Sequence, residues 1–323
     1  MNKNEKSFPP DKIARFYRQI RRIRRVEETI IELYPTDKIK SPVHLSIGQE
    51  SVSVAVCEAL RSTDVVFGTY RGHALYLAKN GSMNAMMAEL YGKVDGCARG
   101  KAGSMHLVDI PSGMMGTSAI VATSIPQAVG YAFAMKQRRS DAIVVCFFGE
   151  GAMDEGVWHE SMNFAALKKL PVLFVCENNG YAIYSNVKDR MAGADICARS
   201  KSYGVPAFRV ENGDTRKIFA QTLLDAAAIR EGSGPRFIEA MTCRWRDHVG
   251  PGEDRVHRYR SDAELDAWIA ADEMKKLGEL IPADARAAID REIEIELSAA
   301  IAFAEQSPYP DNREIYDHVF AKS

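Results

Sequence analysis

The sequence has almost no net charge: Lys and Arg number 42 and Asp and Glu 43, which leaves −1 over 323 residues. A chain this balanced carries no electrostatic footprint for nucleic acid or an anionic membrane surface. It also lacks any apolar run near the ~18–20 residues that a membrane-spanning helix requires. The first ten residues, MNKNEKSFPP, contain no apolar segment of the secretory kind and read as a flexible tail ahead of the fold. Cysteines are few: Cys57, Cys97, Cys146, Cys176, Cys197 and Cys243. None stands in a C-x-x-C spacing, which argues against a zinc site and for a reducing, cytoplasmic compartment. Cys146 and Cys176 lie inside apolar runs and read as small core residues. Arg21, Arg22, Arg24 and Arg25 suggest a transit peptide, but Glu27 and Glu28 follow at once. A solvated helix face is the better reading of those arginines.

What remains is a 46% apolar chain, large enough for one α/β domain with helical extensions. Apolar positions Ile13, Phe16, Ile20, Ile23, Val26, Ile30 and Leu33 recur at steps of three and four, which predicts an amphipathic helix over 11–34 ended by Pro35. Further helices are expected over 49–60 and 82–91, with a strand and a polar turn between them at 65–74. Residues 92–118 are rich in glycine and small residues and read as one long functional loop. A helix over 124–138 follows, with Ser124 as its cap and Pro126 in its first turn.

The stretch 142–148 is a continuous apolar run that stops at Gly149-Glu150-Gly151-Ala152. After a helix through about residue 169, Pro171 opens a second apolar strand, 172–176, which ends in Glu177-Asn178-Asn179-Gly180-Tyr181. This is a β-α-β unit, and its crossover makes the two strands parallel. Later strands are expected at 207–210 and 236–242 with a helix at 214–231 between them. A polar Arg/His-rich loop over 243–260 and a helical tail from 261 to about 305 complete the chain. The fold class is α/β, a doubly wound and mostly parallel sheet, with N- and C-terminal helical extensions and a single domain over 11–323.

Both strands of the β-α-β unit end in glycine-containing polar turns, and strand ends are where α/β sheets bind ligands. Glu150 in one turn and Asn179 in the other bring a carboxylate and an amide carbonyl together. These are hard oxygen donors suited to magnesium. Flanking glycines let main-chain N–H groups approach a phosphate, and magnesium seldom sits in an all-protein cage. The residues therefore read as a magnesium-diphosphate site. A G-x-G tripeptide alone is common; the pairing of two such turns carries the inference.

At this point the chain resembles the alpha subunits of the two-chain, thiamine-diphosphate-dependent 2-oxo acid dehydrogenases. These are the first components of the pyruvate, branched-chain and acetoin dehydrogenase systems. The resemblance runs over roughly residues 11–260. It rests on HLSIGQE (44–50), TYRGHA (69–74), ELYGKVDGCARGKAGSMH (89–106), FFGEGAMDEG (147–156), NFAALKKLPVLFVCENNGYAI (163–183) and RWRDH (244–248). It implies a thiamine-diphosphate-binding fold with thiamine diphosphate and Mg2+ as cofactors. By position it implies that Glu150, Asn179 and the main-chain carbonyl of Tyr181 hold the metal. Gly149, Gly151 and Ala152 would face the diphosphate. Tyr70 and Arg71 would contact the cofactor, Arg71 as its counter-charge. Ala119 and Val121 would lie near the aminopyrimidine, His248 over the reacting centre, and His44 toward the substrate.

Rival readings stand beside these. His44, between Val43 and Leu45, has the alternative of a hydrogen-bonded core histidine. Arg244 and Arg246 have that of a solvated face, or of pairing with Asp247, Glu253 or Asp254. His73 reads as structural. The chain has Glu150 where most of the family has aspartate, and Ala119-Ile120-Val121-Ala122 where many members read G-I-V-G. Val249 replaces the phosphorylatable serine of mitochondrial pyruvate dehydrogenases. The resemblance further implies a beta subunit supplying the pyrimidine half of the site in a heterotetramer of two alpha and two beta chains. It also implies a lipoyl-bearing acyltransferase as acceptor, and a small 2-oxo acid or acetoin as substrate. The loop and chain length point to the acetoin or pyruvate type, and Glu150 to the branched-chain type. Two other classes remain, a two-chain carboligase and a non-catalytic scaffold.

Overall fold

The computed structural model describes residues 8–193, 195–317 and 319–320. The first seven residues of the expected tail lie outside them. Six strands form one sheet: β1 Val65–Thr69, β2 Met114–Ser118, β3 Val144–Gly149, β4 Val172–Asn178, then β7 Ala207–Val210 and β8 Arg236–Met241. A small hairpin, β5 Tyr181–Ala182 and β6 Ser185–Asn186, follows β4. The sheet order is β2-β1-β3-β4-β8-β7, and every neighbouring pair is parallel.

The apolar runs are continuous because the sheet is covered on both faces. Val145, Phe147, Leu173, Val175 and Ile238 enter one core; Val144, Cys146, Phe148, Val172, Phe174 and Phe237 enter the other. The first core is closed by helices Pro10–Leu33, Glu50–Ala59, His73–Ala78, Met83–Leu90, Thr215–Arg230 and Ala283–Gln306. The second is closed by Ser124–Gln137, Gly156–Leu167 and Ile196–Lys201. This is the doubly wound arrangement that the alternating pattern predicts. No described helix is long and apolar enough to cross a membrane.

Several local expectations are corrected. The stretch 92–118 is not one loop. Its last five residues, Met-Met-Gly-Thr-Ser, form edge strand β2, pairing with β1 in the register Phe67↔Gly116 and Gly68↔Thr117. Only Thr117 there is β-branched, so local propensity is weak and the pairing comes from β1. The rest of the stretch folds round a carboxylate. Glu89, 1% exposed, accepts main-chain N–H bonds from Ala98 (2.9 Å), Gly100 (2.8 Å), Ala102 (2.7 Å) and Gly103 (3.0 Å). Ser124 does not cap its helix; Thr123 takes that position, and Ser124 is buried inside the first turn. The polar turn after β1 runs straight into the helix His73–Ala78. The helical tail is three helices, broken after Ala270 and at Pro282.

The arginine cluster of the first helix is not a solvated face. Arg21, Arg22 and Arg25 reach across to Asp290, Glu296 and Glu294 of the helix Ala283–Gln306. Arg24 is buried, pairs with Glu50 and Asp272, and lies 4.4 Å over the Trp245 ring. The C-terminal helix is thus tied to the N-terminal one by charge, while its Leu297, Ala300 and Ala304 enter the first core.

Candidate active site

From β1 the chain passes to β2 on one side and returns to β3 on the other. The carboxyl ends of β1 and β3 are therefore neighbours whose connections diverge, which leaves a crevice above the sheet. A cavity of about 310 Å³ lies there. Tyr70, Arg71, Val121, Gly149, Glu150, Gly151, Ala152, Asn179, Tyr181 and His248 all line it. Ala119 does not. His44 stands just behind the wall, 7% exposed, its ring 4.5 Å from that of Tyr70 and 5.3 Å from that of His248.

Arg71 follows β1. Its guanidinium donates to the carbonyls of Leu45 at 2.7 Å and His248 at 3.2 Å. No carboxylate among the described residues lies within ion-pairing distance of it; Glu177 and Glu27 act on it only from farther away. Burial, with Arg244 nearby, pulls its pKa down to about 10. An enclosed cation with no ion pair has the charge and the free donors to meet an anion.

Glu150 opens the short 3-10 turn after β3 and is 1% exposed. Burial pushes its carboxyl up to about 7, against the lowering effect of Arg190 and of the main-chain N–H groups of Glu150 and Asn179. Asn179 sits at the end of β4. Its Oδ1 accepts the Tyr181 N–H at 3.1 Å and its Nδ2 donates to Gln49 Oε1 at 3.1 Å. The adjacent Asn178 turns away and bonds buried Glu239 at 2.8 Å. The Tyr181 side chain also turns away, its hydroxyl donating to Glu264 at 3.3 Å and its ring lying against Tyr259 and Arg260. Tyr181 nonetheless lines the cavity. Among the described residues no three His, Cys, Asp or Glu side chains converge as a metal cage. A hard cation at Glu150 and Asn179 would have to complete its shell with water or a bound anion.

The two glycines differ. A Cβ on Gly151 would stand 2.8 Å from the Ala182 Cβ, so packing against the hairpin requires glycine there. A Cβ on Gly149 would meet nothing within 4 Å and would enter open space at the cavity wall. In the G-I-V-G-like stretch, Ala122 has φ 64°, the left-handed region that glycine favours. Ile120 and Val121 beside it are 69% and 46% exposed.

Both histidines are neutral near pH 7. Burial first, then Arg71, lowers His44 to about 3 and His248 to about 4. His44 Nδ1 is buried and has no hydrogen-bond partner among the described residues. The rival reading of His44 as a satisfied core histidine is not supported at that atom. The pairing alternative for the loop arginines is the correct one: buried Arg244 bonds Asp254 at 2.9 Å, and Arg246 lies 3.5 Å from Glu253.

Three participants escaped sequence reasoning. Gln49 reaches Asn179 from the HLSIGQE segment. Glu177, opposite Gly149 in the β3–β4 register, lines the cavity with its carboxyl pushed by burial to about 7. Arg190 pairs with both Glu150 and Asp154. Glu177 stood in the quoted E-N-N-G-Y turn, so its signal was present; Arg190 had none.

His73 is structural in a specific way. Its Nδ1 lies 3.1 Å from Glu27 Oε1 and its Nε2 2.7 Å from Ser104 Oγ, all three residues fully buried. Glu27 also accepts the Ser46 N–H at 2.8 Å on both oxygens. A carboxylate only accepts, so Nδ1 carries a proton toward Glu27, and Ser104 Oγ lies in hydrogen-bond reach of Nε2. This chain fastens the 44–46 strap, whose Leu45 carbonyl holds Arg71.

The chain is similar over most of its length to known proteins. The family described as "Dehydrogenase E1 component" matches residues 18–313. The chain is 33% identical to the alpha subunit of acetoin:2,6-dichlorophenolindophenol oxidoreductase from Bacillus subtilis, over 97% of this chain and 95% of that one. It is 33% identical to the pyruvate dehydrogenase E1 component subunit alpha of Porphyra purpurea, over 99% of this chain and 96% of that one. It is 34% identical to the counterpart from Rhizobium meliloti, over 98% and 94%.

Proposed function

The chain belongs to the dehydrogenase E1 component family, and from that premise we propose that it is the alpha subunit of a thiamine-diphosphate- and magnesium-dependent enzyme that oxidises a small 2-oxo acid or acetoin. The observation that carries this reading is the convergence, at one switch point, of two oxygen-donor turns and a cation without an ion pair. Glu150, Asn179 and the Tyr181 main chain would hold the metal. Arg71 would meet the diphosphate, for which a forked guanidinium is well shaped. Gly149 leaves the room that a bound group needs at the wall.

Thiamine diphosphate, when bound, supplies the carbon nucleophile and takes up the electron pair released when the substrate is cleaved. The chain's own residues position and protonate. Neutral His44 and His248 can each offer one N–H and one lone pair at neutral pH, as proton transfer at a substrate oxygen requires. Their low proton affinity keeps both from becoming cations beside Arg71.

The exposed apolar residues round the mouth, Ile120, Val121, Ile183 and Val249, support a covering partner. A beta subunit in a two-alpha, two-beta assembly, with a lipoyl-bearing acyltransferase as acceptor, fits that need. Six free thiols support a reducing, cytoplasmic setting. The test is to co-express the chain with its beta subunit and assay oxidation of pyruvate, branched-chain 2-oxo acids and acetoin with an artificial electron acceptor. Turnover that needs both chains, Mg2+ and thiamine diphosphate is expected. Turnover by the alpha chain alone would refute the half-site reading, and a complex that forms carbon–carbon bonds without oxidation would place it among carboligases.

A further inference from the structure

The Arg190 guanidinium occupies a position with a consequence for the metal. Nη2 donates to Glu150 Oε1 at 2.8 Å, Nη1 donates to Asp154, and Nε donates to the Ser185 carbonyl at 3.2 Å. Arg190 is the one side chain hydrogen-bonded to the Glu150 carboxylate among the described residues. It reaches in from the short helix Val187–Arg190 that follows the hairpin, and it retains 15% side-chain exposure while Glu150 has 1%.

A buried carboxylate cannot be left without a partner at low cost. Here the partner is a cation held on Oε1, while Oε2 has no side-chain donor among the described residues, so Arg190 and a divalent cation would share one carboxylate. The two compete through charge: a second positive charge within a few ångströms of the guanidinium in an enclosed site lowers the hold of each on the carboxylate. Arg190 has an alternative, because Asp154 and the Ser185 carbonyl hold it from the outer side. It can release Glu150 without becoming unpaired.

We propose that Arg190 is a resident counter-ion competing with the divalent cation for Glu150, so that metal entry and the opening of the Arg190–Glu150 pair are one exchange. This rests on the reading of Glu150 as a metal ligand. The metal-free site stays charge-compensated, and its affinity for a bare cation is reduced by the strength of the pair, as linkage between two ligands of one group requires. The bound diphosphate restores the affinity by adding negative charge beside both cations.

The test uses the full chain assembled with its beta subunit, with Mn2+ as the probe and free Mn2+ counted by electron paramagnetic resonance. Without thiamine diphosphate, Arg190→Gln should bind Mn2+ about tenfold more tightly than wild type, the equivalent of one charge-assisted hydrogen bond lost from the metal-free state. Arg190→Lys, which keeps the charge but not the fork, should fall between them. Equal or weaker Mn2+ binding by Arg190→Gln overturns the exchange. A second measurement needs no variant: Mn2+ should speed phenylglyoxal modification of Arg190 in wild type severalfold, read by peptide mass spectrometry. An unchanged rate overturns the proposal even if the variants misfold. If neither protein binds Mn2+ even with thiamine diphosphate present, the metal-site reading itself fails and takes this proposal with it. That outcome is distinct from Mn2+ binding that is merely indifferent to Arg190.

Discussion

Replacing Arg71 with methionine should separate folding from cofactor binding. In the ligand-free fold the guanidinium is a burden: its pKa is pulled from the usual guanidinium range down to about 10. A fall of two to three powers of ten in proton affinity corresponds to about 3 kcal/mol. The sign is that of a base with a depressed folded pKa. Its charged form costs stability at every pH below about 10, and the cost fades only above that, so in ordinary buffers it is constant. Against it stand the two bonds to the Leu45 and His248 carbonyls, about 1.5–3 kcal/mol each when the donor is charged. The two effects offset each other in large part, and Arg71→Met should lower the unfolding free energy by about 0–3 kcal/mol. Thiamine diphosphate binding should weaken by about 100-fold or more, since two charge-assisted bonds to phosphate would be lost. Urea denaturation of the chain and calorimetric titration of the assembled enzyme measure the two quantities. A variant that loses more than about 4 kcal/mol of stability yet binds the cofactor normally would refute the assignment of Arg71 as a ligand counter-charge.

The glycine pair makes a second contrast. Gly151→Ala should cost about 1–3 kcal/mol, because its methyl meets Ala182. Gly149→Ala should leave stability unchanged or slightly raised while weakening cofactor affinity, and equal behaviour of the two in denaturation would count against the cavity geometry. Glu89→Gln places an amide N–H₂ against main-chain donors that now meet a carboxylate, and should cost about 3–6 kcal/mol. Trypsin should then cut at Arg99 or Lys101 far faster than in wild type; resistance equal to wild type would contradict the role of Glu89 as the loop's anchor. His44 and His248 bind protons more weakly folded than unfolded, so stability should rise with pH from about 3 to the ordinary histidine value near 6.5. A His44→Asn, His248→Asn double variant should flatten that limb, and an unaltered slope would show that other groups produce it.

Much of the architecture was legible because burial on both faces leaves a strong mark. The runs at 142–148 and 172–176 are apolar without alternation, and they are the central strands β3 and β4. The turns that end them carry the glycines and the paired oxygen donors, so the heart of the candidate site could be read from two short strings. Edge strand β2 could not: Met114–Ser118 has little local preference and is a strand only because β1 offers an unpaired edge.

The sequence by itself determined which stretches must be buried, where they must stop, and which residues stand at the stops, since all of these follow from local polarity and chain geometry. Tertiary structure alone decided who meets whom across distance. Arg190 reaching Glu150, Glu89 gathering four amides of a later loop, and Glu27 orienting His73 are contacts between segments whose separation has no local signature. Arg71 shows both contributions. Its place after β1 is in the sequence, but its lack of a carboxylate partner arises only when the strap at 44–46 and the His248 loop close around it.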